Sequence, residues 1–88
     1  MPPAFLMETM ELRECIEDAC ARGAEAERSQ LAARVQGLRE EVRAEMSAAF
    51  GEALAAAPPP PGAVARAAAA LVRLRYLERM ASRLAGEA

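Results

Sequence analysis

Four consecutive prolines, Pro58 to Pro61, followed by Gly62, divide this 88-residue chain into two parts that cannot share one continuous helix. A proline ring fixes φ, removes the backbone N–H donor and clashes with the preceding turn, so a run of four holds extended polyproline backbone. Such a run serves either as a recognition motif for a proline-binding module or as a stiff connector between helices that fold back on each other. The flanking residues favour the connector. Before it, Leu31, Val35, Leu38, Val42, Met46, Phe50 and Leu54 recur at steps of three or four, an amphipathic seam of about six turns. After it, Val64, Ala67, Leu71, Leu74, Leu77, Ala81 and Leu84 repeat the pattern. The spacing predicts helices over about 25–56 and 63–85, packed antiparallel at about 20° in the manner of a coiled coil. Gly37 and Gly51 each weaken the longer helix by about 1 kcal/mol relative to alanine. The apolar stripe runs through both glycines, so a gentle bend is expected rather than a break.

A further helix is expected over about 3–22. Pro2 and Pro3 suit the first turn, where a missing N–H costs nothing. Arg22 lies near the negative end of the helix dipole, and Gly23 is a fair residue for the left-handed stop beyond it. Alanine, leucine, arginine and glutamate dominate the composition, which favours helix throughout and leaves strands little to build on. The length allows one small domain with one core. The expected fold is therefore all-α: an antiparallel three-helix bundle, residues 1–88 forming a single domain, whose two long helices make the hairpin.

The first helix carries more apolar residues than one core uses. At about 100° per residue, Phe5, Leu12, Ile16 and Ala19 fall on one narrow stripe, enough to seat the helix. Leu6, Met7 and Met10 point the other way, among Glu11, Glu14, Glu17 and Asp18. Exposed methionine and leucine inside an acidic rim read as a contact surface, because clustered exposed apolar groups mark binding sites. The alternative is a frayed N-terminus or a wider core. In the third helix, Tyr76 is rotated by about 200° from Leu74, away from the seam and beside Val72, Arg79 and Arg83.

Composition excludes several functions. Net charge is −2 and the pI is near 5.2, so general nucleic-acid affinity is not expected, although all eleven basic residues are arginine. Histidine is absent, no serine or cysteine has a base beside it, and no glycine-rich loop follows a strand, so catalysis is not expected. Cys15 and Cys20 lie on one predicted helix about 140° apart, which rules out a mutual disulfide and gives no metal-ligand spacing. Reduced, half-buried thiols are expected, with neither metal nor other cofactor. No run reaches the roughly 18 apolar residues of a membrane span, and no basic segment precedes an apolar one as in a signal peptide. A cytoplasmic protein is expected.

Two segments resemble a known family. Ala4-Phe5-Leu6-Met7-Glu8 with Met10-Glu11-Leu12-Arg13-Glu14, and Val72-Arg73-Leu74-Arg75-Tyr76-Leu77-Glu78, are similar to the C-terminal domain of the HscB family, J-type co-chaperones of iron–sulfur cluster assembly. The second segment resembles the family's Arg-Lys-Leu-Arg-Phe-Leu-Asp stretch. Helix lengths and turn position agree from about Ala4 to Leu84. The resemblance implies a bundle that grips an IscU-type iron–sulfur scaffold protein, for delivery to an HscA-type Hsp70 whose ATPase a J domain stimulates. It implies a binding face of Leu6, Met7, Met10, Glu11, Glu14 and Asp18, with Tyr76 as the aromatic. Tyr76 stands where the family often has phenylalanine, and Asp18 where it often has glutamate. Without histidine these residues hold no His-Pro-Asp motif, so they are not expected to stimulate a chaperone ATPase by that route. The reading is a non-catalytic adaptor domain that binds the scaffold, with no nucleic-acid or membrane partner. The alternative is a structural bundle that self-associates through the exposed Met/Leu face.

Overall fold

The computed structural model describes residues 2–86. Within them run three helices and no strand: α1 (Pro3–Arg22), α2 (Glu25–Leu54) and α3 (Pro61–Leu84). The fold is all-α, as the composition implies. α1 has the expected bounds. It stops at Gly23, whose φ of 64° is left-handed, and the Gly23 and Ala24 amides donate to the Cys20 and Ala19 carbonyls at 3.3 and 3.0 Å. This paired arrangement satisfies two of the carbonyls that a helix end leaves open. α2 continues through Gly37 and Gly51 and ends two residues before the predicted limit. α3 starts two residues early, because Pro61 is its first residue rather than part of the connector. Its fixed φ and missing N–H fit a first helical position.

Side-chain pairs set the directions. From Arg39–Glu78 through Arg73–Glu45 to Arg66–Glu52, the α3 partner moves back as the α2 partner moves forward. These helices are therefore antiparallel. α1 runs parallel to α3, with Phe5 beneath Arg73 and Glu17 bonded to Arg83. The molecule is long, 52 × 21 × 20 Å. α1 begins only at the level of Arg73, so the proline end of the hairpin has two helices in section and the other end has three.

The core follows that division. Leu12, Ile16, Val35 and Leu77 are fully buried in the three-helix half, with Val42, Met80 and Leu84 around them. Toward the proline turn the buried residues are all alanine: Ala49, Ala53, Ala63, Ala67 and Ala70. Here the predicted seams are corrected. Phe50 and Leu54 are exposed and Ala49 and Ala53 lie inside; Val64 and Leu71 are exposed and Ala63 and Ala70 lie inside. Leu38 and Leu74 are only partly buried. Three successive steps of four, from Val42 to Leu54, drift by about 40° each and leave the interface, whereas 42–46–49–53 stays on it. Following side-chain size instead of period produced the wrong register. Thr9, which no predicted stripe included, is buried, its hydroxyl donating to the Leu6 carbonyl at 3.0 Å.

Candidate protein-docking face

α1 presents its outward side as two neighbouring stripes of the same 4–3–4 spacing. The inner one, Leu6–Met10–Arg13–Glu17, borders a groove of about 570 Å³ between α1 and α3. The outer one, Met7–Glu11–Glu14–Asp18, faces away from the bundle, and all four residues are exposed. Residues at i, i+4 and i+7 share a helix face, so each stripe is continuous. The periodicity of α1 thus places six of the seven residues picked out in the sequence in two groups, and Tyr76 of α3 faces one of them. Leu6, Met10 and Tyr76 come together around the groove; Met7, Glu11, Glu14 and Asp18 form the ridge beside it.

The apolar members are open to solvent: Met7 is 64% exposed, Met10 63%, Leu6 40% and Tyr76 38%. Among the described residues Glu11 and Glu14 have no ion-pair partner, so their charge faces outward. Asp18 differs, because its carboxylate accepts from Arg22 at 2.8 Å. Arg22 also bonds Glu27 across the Gly23 turn. These two carboxylates raise the Arg22 pKa far above its ordinary value, the hydrogen bond to Glu27 contributing most. The Arg83 pKa is also raised, chiefly by Glu17, whose carboxylate accepts from the guanidinium at 2.9 Å. That bond closes the lower end of the groove.

The α3 wall of the groove carries the arginines that the sequence placed beside Tyr76. Arg79 lies over the Tyr76 ring at 5.4 Å, a cation–π stack that holds the ring against the helix. With Met80 and Arg83 it completes a wall that sequence reasoning did not assign. The signal was there: Tyr76, Arg79, Met80 and Arg83 are spaced as one face of a helix. The upper end of α1 is pinned by Phe5, which lies under the Arg73 guanidinium at 5.7 Å while Arg73 bonds Glu45 of α2. The contact fixes the turn from which Leu6 and Met7 project.

The cysteines take no part. Both are free thiols; Cys15 is exposed, not half-buried as expected, and Cys20 is partly buried beside the Arg83 carbonyl. Among the described residues no group of three or more His, Cys, Asp or Glu side chains could hold a metal ion. No helix among them is long and apolar enough to cross a membrane.

The class defined by the fold is an all-helical bundle with an exposed apolar patch, an acidic ridge and a shallow groove on α1. A family model described as the HSCB C-terminal oligomerisation domain matches residues 1–85, and the chain belongs to that family of co-chaperone domains of iron–sulfur cluster assembly. Comparison with curated proteins and with solved structures gave no match.

Proposed function

We propose that this chain is a non-catalytic adaptor domain whose α1 face docks an IscU-type iron–sulfur scaffold protein. The observation that supports this most is the coincidence on one surface of exposed Leu6, Met7 and Met10, the Tyr76 ring across the groove, and the outward-facing carboxylates of Glu11 and Glu14. Desolvating a fully buried methionine or leucine supplies about 1.5–3 kcal/mol, so a few such residues at the centre of a small interface suffice for binding. The glutamates at the rim set orientation and association rate against a basic partner. Asp18, already held by Arg22, belongs to the edge of this surface and offers it less charge than the other two acids.

Delivery of the scaffold to an HscA-type Hsp70 would run through a J domain, which these residues do not include. The adaptor reading places no cluster ligand and no cofactor on this chain, and its setting is the cytoplasm. Self-association through the same α1 face is disfavoured by its chemistry. Two copies placed face to face would set Glu11 and Glu14 against their own counterparts, and like charges opposed across an interface repel.

Titration of the purified chain with an IscU-type scaffold tests the proposal. Saturable one-to-one binding that weakens as salt rises is expected, because the rim term is electrostatic. Absence of binding at low salt with both partners folded would overturn it.

A further inference from the structure

The residues displaced from the predicted seams make a second apolar surface. Phe50, Leu54, Val64 and Leu71 each stand one position after a buried alanine of the hairpin seam: Ala49, Ala53, Ala63 and Ala70. In an antiparallel pair, residues that follow the seam on each helix flank it on the same side. The ion pairs of this molecule show that side directly. Arg39 and Arg43, which follow Leu38 and Val42, reach Glu78, which follows Leu77, at 3.0 and 3.2 Å. Residues that precede the seam lie on the other flank, where Arg73 meets Glu45 and Arg66 meets Glu52, and where Phe5 places α1. The four large side chains therefore share the flank opposite α1, at the proline end, and among the described residues all four remain exposed. Leu54 is 83% exposed and Leu71 41%.

Charge decides what fits there. From Met46 to Val72 the only charged residues are Glu52 and Arg66, and they neutralise each other on the far flank. The stripe is uncharged along its length and ends at Arg75 and the Arg43–Glu78 pair. A charged partner would lose hydration at this surface and find no counter-charge. A second copy brings the same uncharged stripe, and a two-fold arrangement sets like against like with no repulsion. The acidic α1 face lacks that property.

We propose that this flank is a self-association surface, through which two copies of the chain pack hairpin to hairpin and leave both α1 faces open. The family's description names oligomerisation but no surface; this assignment places it on Phe50, Leu54, Val64 and Leu71, away from the proposed scaffold site. Sedimentation equilibrium of the chain alone, from micromolar to millimolar concentration, is the test. The mass should rise toward that of a dimer. The Phe50→Glu/Leu71→Glu variant should associate at least tenfold more weakly at unchanged helicity, and the Met7→Ala/Met10→Ala variant should associate like the parent. If the first variant loses helicity, Leu54→Glu replaces it, since that side chain has least to do with the core. A parent that stays monomeric throughout overturns the proposal, as does association lost with Met7 and Met10 instead. So does a stripe variant that keeps the parent's mass behaviour but fails to bind the scaffold. A parent that stays monomeric leaves scaffold docking at α1 untouched, since that is read from the separate titration; a stripe variant that loses the scaffold would count against both readings.

Discussion

Met7 and Leu77 are both apolar helix residues, and their roles are opposite. Leu77 has no exposed surface, whereas Met7 is mostly in water. Leu77→Ala should lower the stability to unfolding by about 2–5 kcal/mol, through lost burial and an unfilled cavity. Met7→Ala should leave thermal and denaturant melting nearly unchanged, since exposed substitutions seldom matter to the fold by more than about 0.5 kcal/mol. Paired melting curves check both. The exposure of Met7, Met10 and Tyr76 was legible in the sequence because each lies far around its helix from a strong apolar stripe. Thr9 was not, because its polarity hid its place in the 5–9–12–16–19 spacing. The hydroxyl is satisfied by the turn below it, so burial costs little there. Arg79 was noticed only as a neighbour of Tyr76; that its cation stacks on the ring is a matter of rotamer, which spacing does not carry.

Among the elements, the two ends of α1 are held by different chemistry. The C-terminal end is fixed by Gly23 and the N-terminal end by the Phe5–Arg73–Glu45 stack. Arg73→Ala should therefore loosen the first turns of α1 while the hairpin persists. Amide hydrogen exchange should show faster exchange near Thr9 and Met10 and little change along α3 beyond the site itself. α2 offers the reverse opportunity. Gly37 is helical and exposed, and a β-carbon there meets no atom within 4 Å, so Gly37→Ala should stabilise the protein by about 0.5–1 kcal/mol. Denaturant titration would measure this. Helix number, order and most boundaries were legible from Pro2-Pro3, Gly23 and the proline run, since those residues act on the backbone locally. The seam register near the proline turn was not. Its interface is built from alanines, and a reading weighted by side-chain size follows Phe50 and Leu71 out of it. Alanines let the two backbones approach closely, and the larger neighbours are turned outward as a result.

For the whole molecule, the division between a three-helix half and an alanine-lined hairpin puts the large buried side chains beneath α1. The proposed docking face therefore stands on the best-packed part of the structure. A preorganised face loses little entropy on binding, which favours affinity in a small interface. In the proposed complex the acidic ridge would add long-range attraction to a basic partner. Glu14→Ala should lower the association rate with a basic scaffold and flatten its salt dependence, with a smaller effect on dissociation, as stopped-flow measurements at several ionic strengths would show. The central claim is that Met7 and Met10 supply the binding energy from a surface that does not support the fold. Calorimetric titration of the Met7→Ala/Met10→Ala double variant against an IscU-type scaffold, beside its melting curve, tests that claim most directly. The expected result is a loss of about 1–3 kcal/mol of binding free energy for each residue, with helicity and melting temperature unchanged. Undiminished affinity in the folded double variant would show that the scaffold docks elsewhere.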